Sequence, residues 1–125
     1  MNKITVVGNL GKDAEVRTTS SGKSVCSFSL ASSRSFKKGD AWEKETTWFT
    51  VSVWGDKASK YGSTLKKGTR VMVEGDLRQR KYVDKSGGEK TTYDLVAERV
   101  YLVSSPGEQR EHDGPPIPPM EQDSE

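Results

Sequence analysis

A chain of 125 residues holds one domain rather than two, and with 31% hydrophobic against 30% charged residues its core is modest enough for oligomer contacts to supplement it. A single cysteine, Cys26, excludes an internal disulfide and a multi-cysteine zinc site, while the lack of a signal-type apolar region or a membrane-length apolar run points to a soluble cytoplasmic protein. The net charge of +2 conceals an asymmetry: residues 1–104 carry 19 Lys and Arg against 12 Asp and Glu, whereas residues 105–125 set Arg110 against six acids, the pattern of a basic body with an acidic tail.

In chain order the pattern is mostly β. Ile4-Thr5-Val6-Val7 opens a first strand, with Gly8 and Gly11 accompanying a bend or bulge. Thr18 to Lys23 reads as a turn. From Val25 to Ala31 the residues alternate, Cys26, Phe28 and Leu30 on one face and Ser27 and Ser29 on the other. A polar loop is expected from Lys37 to about Glu45, then a third strand from Thr47 to Trp54. Asp56 is placed to cap a short helix with Ala58, Tyr61 and Leu65 on one face, and Lys66-Lys67-Gly68 suits its end. A fourth strand runs from Thr69 to Tyr82 and, after Ser86-Gly87-Gly88, a fifth from about Thr91 to Val103. Five strands with one helix between the third and fourth is the order of an all-β OB-fold, a Greek-key barrel, with an SH3-like barrel or open sandwich as the competing arrangements. Ser104-Ser105-Pro106-Gly107 marks the domain boundary. Beyond it there is no aromatic residue and four of the five prolines cluster, so residues 105–125 are expected to be a disordered acidic, Pro-rich tail.

The most informative stretch is Trp48-Phe49-Thr50-Val51-Ser52-Val53-Trp54. Alternation puts Phe49, Val51 and Val53 on a core face and Trp48 and Trp54 on the opposite face, with Thr50 and Ser52 between them. Six residues at about 3.3 Å separate the two indoles by roughly 20 Å, too far for one small ligand and suitable for several nucleotides. Base-on-aromatic stacking tolerates any sequence because every base has a π-face. Burial of both indoles in a subunit interface is the competing explanation. Arg78, Arg80 and Tyr82 share an outer face of the fourth strand, with Lys81 adjoining. Arg34, Phe36, Lys37 and Lys38 form a further aromatic and basic group. Phe36 could also plug the barrel end, and Trp42 could either stack on nucleic acid or cover the base of its loop.

Catalysis finds little support. His112 is the only histidine and lies in the tail, Cys26 reads as a buried structural thiol, and no carboxylate spacing suggests a metal cage or an acid/base pair. There is no P-loop-type glycine run. No enzyme, metal or cofactor is expected.

Asn2-Lys3-Ile4-Thr5-Val6-Val7-Gly8-Asn9-Leu10-Gly11-Lys12-Asp13-Ala14-Glu15-Val16-Arg17 resembles the opening of bacterial single-stranded DNA-binding proteins. So do Phe28-Ser29-Leu30-Ala31, Glu45-Thr46-Thr47-Trp48-Phe49, Leu65-Lys66-Lys67-Gly68 and the run from Val73 to Asp84, together covering residues 2 to about 103 in order. The resemblance implies an OB-fold homotetramer around which single-stranded DNA wraps, acting in replication, recombination and repair. It implies stacking by Phe36, Trp48, Trp54 and Tyr82, where family members often carry Trp at the first and last and Phe at the third. Basic contacts carried across are Arg17, Arg34, Lys57, Arg78, Arg80 and Lys81. Phe49 stands where some members have a histidine involved in subunit contacts. The family's tail usually ends in an apolar anchor that recruits replication and repair proteins. Here Pro118-Pro119-Met120-Glu121-Gln122-Asp123-Ser124-Glu125 has no such anchor, which implies lost or altered recruitment, or an origin in a phage, plasmid or divergent host. Two rival functions stay open on the sequence: an OB-fold RNA binder, and a protein-interaction hub whose aromatics form interfaces.

Overall fold

The computed structural model describes residues 1–106, so nearly all of the expected tail lies outside the described residues. The elements are β1 (Ile4–Leu10), β2 (Glu15–Thr18), β3 (Ser24–Lys38), β4 (Ala41–Trp54), α1 (Lys57–Thr64), β5 (Arg70–Val83) and β6 (Glu89–Ser104). Hydrogen bonding runs β1-β5-β6-β4-β3-β2, and an additional β1–β3 pairing closes β1, β5, β6, β4 and β3 into a five-stranded barrel. The β4–β6 pair is parallel and the others are antiparallel. With the helix between the third and fourth barrel strands, this is the expected OB-fold.

The sixth strand arises where the first barrel strand breaks. Leu10 pairs with Leu30 and Glu15 with Ser27, so the chain inserts two extra residues against β3 and resumes as β2. Gly11 sits in this bulge, at the bend that its position in the sequence predicts. The helix docks on the same bend: Ala14 N–H donates to the Leu65 carbonyl at 2.9 Å, and Lys67 N–H to Asp13 Oδ1 at 2.8 Å. Asp56 holds the N-cap position without a side-chain capping bond.

Alternation builds the core. Cys26, Phe28 and Leu30 from β3 meet Val51 and Val53 from β4, Val71 and Val73 from β5, and Leu95 from β6, with Ala58 and Leu65 covering one end. On β6, Leu95 and Val100 both turn toward this core despite their odd separation. A bulge between Glu74 and Gly75 of β5, where the partner jumps from Arg99 to Ala97, makes that possible. Gly75 is required there, because a Cβ would overlap the Val96 carbonyl. Burial pushes the Cys26 thiol pKa up, as suits an inert packing residue.

One expectation is overturned. The stretch from Lys37 to Glu45 is a hairpin rather than a loop, for β3 and β4 stay in unbroken register from Val25↔Trp54 to Lys38↔Ala41. Strand pairing needs a backbone partner, not a buried face, so polar side chains give no sign of it. Gly39, at φ +65°, takes the first position of the two-residue turn, where a type II′ geometry calls for glycine. A second arm runs antiparallel from Leu77↔Leu95 to Val83↔Glu89. Its turn is tied by Asp84, whose Oδ1 accepts from Ser86 N–H, Ser86 Oγ and Gly88 N–H at 2.7–3.0 Å.

Candidate nucleic-acid interface

The two tryptophans that flank the core face of β4 stand open, Trp48 at 54% exposure and Trp54 at 49%, while Val51 and Val53 between them are buried. Their outward neighbours are small: Ser52 pairs with Ser27, Thr50 with Ser29 and Trp48 with Ala31. Nothing bulky on this face separates the rings. Trp48 is positioned from below by Gly11, where a Cβ would come within 2.8 Å of the indole Cζ3. The bulge thus brings a bare backbone under the ring and leaves the rest of it in solvent. Trp54 is flanked by two shallow depressions, one lined with Arg17, Thr18, Val25, Ser27 and Ser52, the other with Lys23, Ser24 and Asp56. Arg17 of β2 is therefore brought beside an aromatic from β4. Lys57 lies three residues beyond Trp54 at the start of the helix.

Arg78, Arg80 and Tyr82 are exposed in alternate positions of the second arm, as expected, and Lys81 is exposed on the other side. Three of the candidate arginines hold carboxylates through Nε: Arg34 with Glu45 at 3.0 Å, Arg78 with Asp76 at 2.9 Å and Arg80 with Asp94 at 3.0 Å. Such surface pairs are worth about 0–1 kcal/mol, so a phosphate oxygen can replace the carboxylate at small cost. Asp94 stands apart from the other two, because its Oδ1 is buried without a hydrogen-bond partner among the described residues.

Residues 1–103 match the model of the Single-strand binding protein family. The chain belongs to that family. Among curated relatives, the single-stranded DNA-binding protein of Neisseria meningitidis serogroup A is 37% identical over 109 residues, covering 86% of this chain and 63% of the relative. Single-stranded DNA-binding protein 2 of Streptomyces coelicolor is 42% identical over 100 residues, 78% of this chain and 50% of the relative. The chain thus matches less than two thirds of the length of these relatives. Among solved structures, the small single-stranded DNA-binding protein of Streptomyces coelicolor superposes with a TM-score of 0.72 at 27% identity, covering 82% of this chain and 94% of that one. The Plasmodium falciparum SSB complex with ssDNA superposes at 0.69 with 22% identity, covering 83% and 96%, a likeness of fold.

Within this family member the candidate residues do not all share one side. Phe36 has the parity of Phe28 and Leu30, so it sits on the face of the first arm opposite Trp48. It is half-buried, and the Arg34 guanidinium carbon lies 5.6 Å from its ring centroid. Trp42, with the parity of Trp48, is 37% exposed. Two residues of this surface, Tyr93 and Asp94, escape a reading of the sequence. Tyr93 alternates with Leu95 and has the parity of core, yet the core ends at Leu95 and Tyr93 is 40% exposed. Strand parity alone holds no signal for it.

Proposed function

We propose that this protein binds single-stranded DNA without sequence preference, stacking unpaired bases on Trp48, Trp54, Tyr82 and Phe36 and neutralising phosphates with Arg17, Arg34, Lys57, Arg78, Arg80 and Lys81. The observation that carries this reading is the pair of half-exposed indoles on a hydroxyl-lined face of a basic barrel. An aromatic pair on a polar surface gains little in the free protein and much from a stacked base. Arginines in weak, exchangeable ion pairs add charge along the same body. The strand held this way cannot re-anneal or form hairpins, which serves replication, recombination and repair with no catalytic step.

Assembly as a homotetramer is part of the proposal. In support, Val7, Met72 and Tyr101 line up across β1, β5 and β6, with Val7 and Tyr101 exposed and Leu102 and Val103 exposed nearby. The β1 edge from Ile4 to Gly8 has no second strand partner among the described residues. Residues 1–104 act as the binding domain. The acidic tail, residues 105–125, competes with DNA for the basic surface, so its removal tightens binding at low salt.

Titration with oligo-dT while following tryptophan fluorescence tests the central reading. Strong quenching is expected, with affinity falling as salt rises by a log–log slope of about −0.7 per neutralised phosphate. A flat signal, or equal affinity for duplex, would remove it. Competition by a matched RNA oligomer decides between DNA and RNA.

A further inference from the structure

The parallel contact between β4 and β6 is brief, joining Thr50, Val51 and Ser52 to Asp94, Leu95 and Val96 and no further. Before those residues each strand belongs to a different hairpin, and both hairpins continue in register to their tips. The two arms therefore separate, and a cleft opens between them. Thr47, Trp48 and Thr50 line one wall, Thr91, Thr92 and Tyr93 the other.

The four tyrosines divide into two kinds. Tyr61 donates its hydroxyl proton to the Val100 carbonyl and Tyr101 to Glu74 Oε1, so both are engaged with the protein. Tyr82 and Tyr93 have no hydroxyl partner among the described residues, and both are open to solvent, at 47% and 40%. A tyrosine that serves packing normally anchors its hydroxyl, and Tyr93 does not. Its companions in the cleft are equally telling. The lining carries no Lys, Arg, Asp or Glu, only rings and neutral hydroxyls. A phosphate would find no counter-charge there, whereas a planar neutral ring finds Tyr93 on one wall and hydroxyls that both donate and accept.

We propose that this cleft is a nucleobase subsite in which Tyr93 stacks on one unpaired base. The proposal deepens the single-strand reading given above and rests on it. Because a hydroxyl matches either a donor or an acceptor on a base edge, the subsite accepts any base.

The test titrates the full chain with oligo-dT and with an abasic strand of equal length. Tyr93→Ala is expected to weaken oligo-dT binding about tenfold, within the range of one lost stacking contact. Abasic binding and the thermal midpoint stay at wild-type values. Tyr93→Phe keeps wild-type affinity, and Tyr93→Leu, which preserves apolar bulk without a ring, loses as much as Tyr93→Ala. The subsite is overturned if Tyr93→Ala binds oligo-dT as the wild type does, or if it loses the same factor on the abasic strand. Should Trp48→Ala weaken binding while Tyr93→Ala does not, the subsite alone fails. If the wild type ignores oligo-dT altogether, the underlying reading fails with it.

Discussion

Along the single strand β4, Val51 and Val53 are sealed inside the barrel, while Thr46 and Thr47, a few residues earlier, are exposed on a projecting arm. The same contrast holds on β5, where Val71 and Val73 are fully buried and Arg78 to Tyr82 lie in the open. The barrel portion is held by apolar burial. The arms are held by backbone pairing, by the Asp84 turn, and by weak pairs such as Ser33 with Thr46 at 2.9 Å and Arg34 with Glu45. One strand thus supplies stability at one end and chemistry at the other, so substitutions should separate the two properties.

The largest effect should come from the barrel. Leu30→Ala removes a side chain with no exposure and is expected to cost about 2–5 kcal/mol of stability in denaturant unfolding. Affinity for oligo-dT, measured where the variant is folded, should be unchanged; a matching loss of affinity would break the separation of regions. The converse change is Trp48→Ala, expected to remove about 1–3 kcal/mol of binding while shifting the unfolding midpoint little. Between these lies Gly11→Val, whose side chain would meet the Trp48 ring. Weaker binding is expected in the wild-type background and no further loss in Trp48→Ala, a non-additivity that a double-mutant cycle reads directly.

Smaller effects should sharpen the contrast within the second arm. Arg80→Ala is expected to flatten the salt dependence by about 0.7 in log–log slope. Asp94→Asn should act in the opposite sense, since it frees Arg80 and removes an anionic group from the face; weaker low-salt binding would show instead that Asp94 orients the guanidinium. The smallest effect concerns pH. Bonds from the Ser86 hydroxyl and the Gly88 and Ser86 amides hold the Asp84 carboxyl below its ordinary value. A group depressed in the folded state contributes stability above its unfolded pKa and loses it as pH falls through the folded one. Stability of the wild type against unfolding should therefore fall as pH drops below about 4, and Asp84→Asn should reduce that slope.

Much of the barrel and part of the interface are legible in the sequence. The alternation of Cys26, Phe28 and Leu30, and of Phe49, Val51 and Val53, marks the core because strand periodicity is a local property. The same alternation singles out Trp48 and Trp54. Other features have no local signal. Residues 37–45 read as a loop because a hairpin arm buries neither face. Tyr93 shares the parity of Leu95, and nothing in its neighbours reveals that the barrel core has already ended. The bulge at Glu74 and Gly75, which reverses facing along β6, is equally hidden.

By itself the sequence determined the five barrel strands, which of their faces are apolar, and that two indoles stand opposite the core. Each of these follows from residues a few positions apart. Only the tertiary structure decided that Arg17 lies beside Trp54, that Gly11 supports Trp48, and that the two arms part beyond Asp94 to open a cleft. Those contacts join residues far apart in the chain. They depend on how the barrel closes and where its ladders end, which no local pattern encodes.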